Sequence, residues 1–456
     1  MARNKGNNHD ETTQVQGSNV VIIDRISYLP HSILLHILAL LPTVEVIRTS
    51  LISKRWRHLW DSVPALEFCD VGIEQQKFYN FVNKCIEHRM IGMHRVNGLG
   101  INRFKLEMHG YGGSVDIDRW LSFAVKQHLE ELDLRIQSNR LVSGFVSRAS
   151  HYYFPSFNYC IPSLTVLKLD GLKLADEVFH NLIMGCPSLE KLVLHSCFGF
   201  DDLEVSSLNL KYLELIRTSC VHSILVEAVN LQSFVFDTSV TGCQLNLFSC
   251  KNVRNLTLVD IYIPCFSISS VEDLIFQLPI LESLTVVDCD IDIIQNQYLK
   301  DLVLKRTIIE DGADKWKHKM KITVDTPNLG SFHYEDVNFT HKVLLNSPNL
   351  EETNIILDYE GERKKIDMNW YVDMIDFLSY FDCSKVVSLV VYSEENLMFP
   401  EKLRKLRLPP LLSVKHLRVE TRCELKSESL LRDALLWLSP HTQTLSIRSE
   451  ENEAQI

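Results

Sequence analysis

A single six-residue phrase recurs through most of this 456-residue chain: apolar, two residues, apolar, one residue, apolar. It starts at Ile101 (INRFKL), Leu129 (LEELDL), Leu164 (LTVLKL), Leu189 (LEKLVL), Leu210 (LKYLEL), Leu231 (LQSFVF) and Val253 (VRNLTL). It continues at Leu281, Leu299, Leu329 and Leu350, with looser copies at Val386, Val414 and Thr442. The closing apolar–x–apolar alternation is that of a short strand with one face buried. A strand this short cannot bury its apolar face alone, so the copies must stack on one another. The chain is predicted to form a solenoid.

Many of the spacings fall in or near the range of roughly 20 to 29 residues typical of leucine-rich repeats. A Pro-x-apolar turn precedes several copies, as in Ile161-Pro-Ser-Leu164, Cys186-Pro-Ser-Leu189, Thr326-Pro-Asn-Leu329 and Ser347-Pro-Asn-Leu350. Proline fixes that turn where no ladder N–H is yet required. Convex segments differ with repeat length. Asp176 to Gly185 is amphipathic and ends in glycine, so it reads as a helix. The shortest repeats have room only for strand-like pieces such as Leu203–Val205 and Ile224–Val226, which predicts β structure on both sides of the middle coils. Since the apolar positions point inward, the residue between them faces the concave surface. That reasoning lines up Lys168, Val193, Glu214, Val235, Thr257, Thr285, Val303 and His333, one per coil, as candidates for contact with a protein partner. A row with several exposed valines suits docking better than solvation.

The N-terminal stretch from Asp24 to Trp60 has a different pattern. Ile33, Leu34, Ile37, Leu38 and Leu41 recur at helical spacing after Leu29-Pro30, and Pro42 is expected to stop that helix after Leu41. Thr43 is placed to cap a second helix carrying Val44, Val46, Ile47 and Leu51, with Glu45 in its first turn. Ser53 is placed to cap a third, carrying Trp56, Leu59 and Trp60 among basic residues. A unit this small and this apolar cannot bury everything against itself. A plain helical hairpin with core tryptophans leaves that excess unexplained, so part of the surface, the tryptophans above all, should face another protein or the following domain.

LPHSILLHILALLP followed by TSLISKRWRHLW resembles an F-box of the kind that opens plant F-box/leucine-rich-repeat proteins. CPSLEKLVLHSC (Cys186–Cys197) is similar to their commonest repeat phrase. His31 replaces a usual acidic residue and Ile52 a commoner Leu or Val. The resemblance implies an α/β solenoid with an N-terminal three-helix F-box and a curved repeat domain built on a parallel concave sheet. It further implies a non-catalytic substrate receptor whose F-box binds the Skp-type adaptor, and through it a cullin–RING ubiquitin ligase. Its repeats would hold a protein substrate of unknown identity. The adaptor-binding residues carried over are Leu29, Pro30, Ile33, Leu34, Ile37, Leu41, Pro42, Val46, Leu51, Trp56 and Trp60. Two other readings stay open: repeats that bind a small-molecule signal, and a scaffold without ubiquitin transfer. The FBD region that often ends the family is not evident.

Composition narrows the remaining classes. A net charge of −11 gives no general electrostatic case for nucleic acid. The alternating lysines of Lys315 to Lys321 read as the solvent face of a strand running into Ile322 and Val324 rather than a phosphate-binding patch. No apolar run approaches membrane-spanning length. The leader lacks a signal-peptide core, and Arg3 and Lys5 are too few for a nuclear signal. The 12 cysteines include no C-x-x-C pair and are expected as reduced thiols, in the cytoplasm and/or nucleus. Asp288, Asp290 and Asp292 resemble a calcium-loop start, but Ile293 stands where the loop needs glycine. Phosphate-loop, nucleophile-elbow and zinc-protease motifs are absent, so neither metal, cofactor nor catalytic residue is expected. The expected organisation is a disordered leader over 1–20, the F-box over 21–62, a helical connector or cap over 63–100, the repeat solenoid over 101–450 and a polar tail over 451–456.

Overall fold

The computed structural model describes residues 29–51, 56, 59–95, 100–111, 116–138, 152–155, 160–237, 244–261, 271–289, 291–306, 321–336, 342–357 and 368–449. The expected leader and tail, Ser53, and Lys315 to Met320 lie outside these residues.

Two short helices come first, α1 (His31–Leu38) and α2 (Thr43–Thr49). Pro30 and Pro42 are their N-caps, in extended backbone. The first helix ends earlier than its apolar spacing suggests. Residues preceding a proline avoid the helical region, and the Leu40 and Leu41 N–H groups turn to carbonyls three residues back instead of four. Thr43 does not cap α2. Its hydroxyl accepts the N–H of Glu67 at 2.8 Å, tying the helix to the next element. A single 3₁₀ turn, Trp60–Ser62, ends the unit among the described residues.

The repeat region follows in a regular order. Its first elements are β1 (Ala65–Cys69), α3 (Gln75–Arg95), β2 (Arg103–Tyr111), α4 (Asp116–Val125), β3 (Glu131–Ser138), β4 (Val166–Asp170) and α5 (Asp176–Met184). Next come β5 (Lys191–His195), β6 (Phe200–Ser206), β7 (Tyr212–Ile216), β8 (Cys220–Glu227), β9 (Ser233–Asp237), β10 (Gln244–Asn246) and β11 (Asn255–Val259). Then follow α6 (Val271–Phe276), β12 (Ser283–Val287), β13 (Ile293–Gln295), β14 (Asp301–Arg306), β15 (Lys321–Asp325), β16 (Ser331–Asp336), β17 (Lys342–Asn346) and β18 (Glu352–Leu357). The last coils hold α7 (Met368–Ser379), β19 (Val386–Val391), α8 (Glu401–Leu406), β20 (His416–Thr421), α9 (Glu428–Leu438) and β21 (Thr444–Ser449).

Fifteen strands form one sheet, in the order β1-β2-β3-β4-β5-β7-β9-β11-β12-β14-β16-β18-β19-β20-β21. Each pairs in parallel with its neighbours, the arrangement expected of stacked coils. Short middle coils cannot fit a helix, so their outer side is strand: β10-β8-β6 form one three-stranded sheet and β13-β15-β17 another. The basic insertion thus runs into a strand at Lys321–Asp325, as expected.

Two corrections concern the repeats. The 63–100 connector is not purely helical, because β1 lies within it and starts the large sheet. Val63-Pro-Ala-Leu66-Glu-Phe68 is itself a copy of the recurring phrase. The copy placed at Val386 begins two residues earlier: Val387 and Leu389 align with Thr353 and Ile355. Ser384 then occupies the first apolar position, and its buried hydroxyl shares a 2.6 Å hydrogen bond with Thr353 of the preceding coil.

The strand leucines form one continuous core. Cys186, Cys197 and Cys250 pack within it as apolar side chains, and burial pushes the Cys186 and Cys197 thiols up to about 12. Asparagine just before a strand phrase staples one coil to the previous one. The side-chain amides of Asn209, Asn230, Asn252, Asn328 and Asn349 donate to the carbonyls of Pro187, Leu208, Val229, Gln297 and Pro327. At the other end of several strands the chain turns through a left-handed residue. Gly171, Ser196, Arg217, Asp260 and Asp288 all have positive φ. The N–H of each donates to a carbonyl at the end of the next coil's strand: the last residue for the first four, and Lys305, the last but one, for Asp288.

Gly171 is the tightest of these turns, since a Cβ there would lie 2.5 Å from the carbonyl oxygen of Ile136. Gly72 shares its left-handed φ but has open space around it. Gly72→Ala should therefore cost about 1 kcal/mol, the conformational term alone. Gly171→Ala should cost about 3 kcal/mol or more, as the backbone must also move. Thermal unfolding of the two variants side by side checks the difference.

Candidate functional site

The N-terminal unit splits its apolar residues between two faces. Leu34, Leu38, Val46, Trp56, Leu59, Val63 and Ala65 close a small core, with Leu29 and Trp60 packed against it. Three of the expected adaptor residues, Leu34, Val46 and Trp56, are therefore corrected to core positions; Trp56 is only 5% exposed. They are inside because two helices this short can close a core only by spending their best-placed large side chains on it.

The opposite face is uncovered. Ile33, Ile37 and Leu41 are exposed there, as are Pro30 and Pro42, and Leu51 is 86% exposed. Leu40, at 67% exposure, belongs to the same set and was not among the expected residues. Ile33, Ile37, Leu40 and Leu41 stand at i, i+4, i+7 and i+8, a second apolar stripe one residue out of phase with Leu34 and Leu38. That phase difference is the signal for Leu40 in the sequence.

The unit is bolted to the solenoid. Arg89 on α3 is buried, and its guanidinium donates to the carbonyls of Trp60 (2.8 Å), Asp61 and Val63 (2.6 Å). Burial brings the guanidinium down to about 10, opposed by the nearby Asp61 carboxylate, so it stays charged at neutral pH. The Trp60 and His88 rings lie 4.7 Å apart, so Trp60 does face the following domain. Arg103 of β2 donates to the Ala39 carbonyl. Phe78, Val82, Cys85 and Arg89 share one face of α3, and a lone arginine ending an apolar stripe is the sequence mark of this clamp.

The second candidate surface is the concave face of the sheet. Strand register places Lys168 beside Val193, then Glu214, Val235, Thr257, Thr285, Val303 and His333, in one unbroken row. The row extends back through Asp133, Lys105 and Glu67, and forward to Asn354. Val193 is a correction: flanked by charged neighbours across the curve, it is buried at 7% exposure. The other seven are half-buried.

Chemistry changes along the row. Its first third consists of charges paired with one another: Lys105 with Glu67 (2.6 Å), Arg135 with Asp133 (3.1 Å) and Lys168 with Glu131 (2.7 Å). His195 meets Glu214 at 2.8 Å. Val235, Thr257, Thr285 and Val303 follow, with Val259 and Val287 beside them, and this stretch is neutral and β-branched. Charge returns at Lys305 and Glu335 (3.0 Å). There the Asn354 side-chain amide donates to His333 Nδ1 at 3.1 Å, and burial lowers the basicity of the ring. A cavity of about 30 Å³ opens near Leu304, Arg306, Tyr334 and Asp336. It has room for a water or two.

Known proteins share both parts. The F-box domain family model matches residues 26–67, and the At1g61320/AtMIF1 LRR domain model matches residues 149–309. The F-box/LRR-repeat protein At3g58900 of Arabidopsis thaliana is 32% identical over 241 residues, which is 47% of this chain and 70% of that protein. This chain belongs to the F-box/LRR-repeat proteins. The F-box/FBD/LRR-repeat protein At3g26920 of the same plant is 27% identical over 329 residues, covering 67% of this chain and 73% of the relative. Another, At2g26030, is 27% identical over 268 residues, 52% of this chain and 58% of its own length. The chain spans about half the length of some curated relatives it matches, 42% of one and 58% of another. The F-box match covers α1, α2 and β1, so the family motif reaches the solenoid's first strand.

The clamp generates a test. Arg89→Ala leaves three carbonyls without their donor, two of them described above at hydrogen-bond distance from a buried guanidinium. At roughly 1–3 kcal/mol per unsatisfied buried group, the junction should lose about 3 kcal/mol or more. Hydrogen exchange should speed up at residues 59–67 before it changes in the central coils.

Proposed function

We propose that this F-box/LRR-repeat protein is the substrate-recognition subunit of an SCF (Skp–cullin–F-box) ubiquitin ligase. In this reading the F-box stripe docks on the Skp-type adaptor, and the concave sheet holds a protein substrate. The observation that carries it is the unit's second apolar face. Ile33, Ile37, Leu40, Leu41 and Leu51 are exposed although the unit's own core is closed without them. Exposed aliphatic anchors grouped on one small face are what a protein partner covers.

The role is non-catalytic. The protein contributes proximity, holding a substrate lysine where a charged conjugating enzyme on the cullin–RING assembly can reach it. A receptor of this kind works by geometry, and the Arg89 clamp supplies it by fixing the F-box against the first coils. Substrate contact is assigned to the neutral stretch Val235, Thr257, Thr285 and Val303. Its four side chains carry no charge themselves, whereas the charges of the first third of the row are already paired with one another. We place the complex in the cytoplasm and/or nucleus, where the cysteines stay reduced.

Ile37→Asp with Leu41→Asp should abolish co-purification with the adaptor while the repeats stay folded. Each lost anchor is worth about 2 kcal/mol, or roughly thirtyfold in affinity. Leu29→Ala with Pro30→Ala should weaken the same interaction. Leu34→Ala, by contrast, should destabilise the unit by about 2–5 kcal/mol through a core cavity. Unchanged adaptor capture by the double aspartate variant, folded by circular dichroism, would overturn the proposal. On the other face, Val235→Arg should leave adaptor capture intact and lengthen the half-life of the proteins this subunit targets, read by comparing protein turnover in cells carrying either form.

A further inference from the structure

Cys69, Glu107 and His109 come together where β1 ends against β2. Cys69 and Glu107 are register partners on adjacent strands, and His109 follows Glu107 by two residues on the same side of the sheet. One ligand atom from each lies within 4.8 Å of the others.

Asp70 orients this group. Its carboxylate accepts the backbone N–H of His109 at 2.9 Å and meets the ring Nδ1 at 2.9 Å. A carboxylate can only accept, so Nδ1 donates to Asp70, and in the neutral ring that tautomer presents the Nε2 lone pair to a metal. Nε2 lies 3.5 Å from Glu107 Oε1. That is long for a hydrogen bond, whose usual length is about 2.7–3.2 Å. It is close to the edge of a tetrahedron around zinc, roughly 3.3–3.6 Å for nitrogen and oxygen bonds of about 2.0–2.2 Å. Lys105 approaches the other carboxylate oxygen of Glu107, at 3.8 Å, and leaves Oε1 free to turn.

We propose that Cys69, Glu107 and His109 form a zinc site, with Asp70 as the carboxylate that holds the His109 tautomer. The donor set decides the metal class. A thiolate and an imidazole with one carboxylate suit Zn²⁺, whereas Mg²⁺ and Ca²⁺ take oxygen donors. Three protein ligands leave a fourth position for water. Asp70 stands where metal-bound histidines commonly place a partner, on the nitrogen away from the ion. Closing the remaining distance needs only rotation of the solvent-reaching His109 and Glu107 side chains. Binding would release the thiol proton and cross-link β1 to β2, the first two strands of the solenoid, beside the F-box junction.

The test titrates the purified full chain with Co²⁺ as a spectroscopic stand-in, then with Zn²⁺, in a background carrying Cys160→Ser and Cys383→Ser to remove exposed thiols. One cobalt per chain should bind with a thiolate-to-metal charge-transfer band, and Zn²⁺ should displace it. Cys69→Ser should abolish the band. Asp70→Asn should weaken Zn²⁺ by about 10- to 100-fold, the usual effect of losing such a partner. Should Cys69→Ser misfold, His109→Gln at an exposed ring decides instead. A wild-type chain without the band, or a His109→Gln titration indistinguishable from wild type, would overturn the assignment.

Discussion

Every element of this protein depends on one constraint: no coil can bury its own apolar strand face without the coils on either side. A buried leucine such as Leu169, Leu194 or Leu215 contributes about 2 kcal/mol, but only when a neighbour covers it. Stability in such a stack is a sum of coil and nearest-neighbour terms. The polar links obey the same logic. Each ladder asparagine donates to the previous coil, and each left-handed turn residue donates to the next. Backbone groups that would be orphaned at coil corners are thereby satisfied between coils, and the corner has little freedom to slip.

The F-box takes part in that stack rather than hanging from it. Ala65 belongs to its core while forming the first residue of β1, and Ile47 of α2 packs against the repeat core. Thr43 gives up capping its own helix to accept a strand N–H from Glu67. Arg89 then closes the junction from the convex side. A buried guanidinium is expensive unless partnered, and the carbonyls of Trp60, Asp61 and Val63 take its two terminal nitrogens because the chain there is a turn with no ladder of its own. Position of the apolar stripe is thus fixed relative to the concave sheet by hydrogen bonds as well as by packing.

How much of this was legible follows from which physical signal is local. The strand phrase is local, so the solenoid, the outer strands near Leu203 and Ile224 and the helix at Asp176 could all be read from the sequence. Val63-Pro-Ala-Leu66-Glu-Phe68 was equally readable, yet its proximity to a helical motif disguised it as connector. The Val386 copy slipped by two residues because Val387, Leu389 and Val391 alternate evenly, and a period of two has no phase marker. Buried Ser384 occupies the position where an apolar residue was sought. The partition of the F-box was the least legible. Helical spacing shows that Leu34 and Ile37 lie on apolar stripes, but it cannot say which stripe faces the chain's own core. Leu40 could be assigned to the second stripe by its phase, but only the third dimension shows that this stripe is outside and Trp56 inside. Likewise the metal-ligand cluster joins residues far apart in sequence, Cys69 and His109, that only strand register makes neighbours.

Electrostatics gives the concave face its direction. Glu67, Lys105, Asp133 and Lys168 alternate in sign across four neighbouring strands; Lys105 and Lys168 find their partners Glu67 and Glu131 one coil away, and Asp133 finds Arg135 on its own strand. Half-buried pairs of this kind stabilise little on their own, but breaking one to engage an outside ligand would leave a charge partly desolvated. That region therefore resists being used as a binding surface. Val235, Thr257, Thr285 and Val303 carry no such penalty. Their β-branched side chains have few rotamers to lose on contact, so a partner meeting them orders little that the sheet has not already ordered. Between two ion-paired flanks, the neutral stretch is where covering the face costs least.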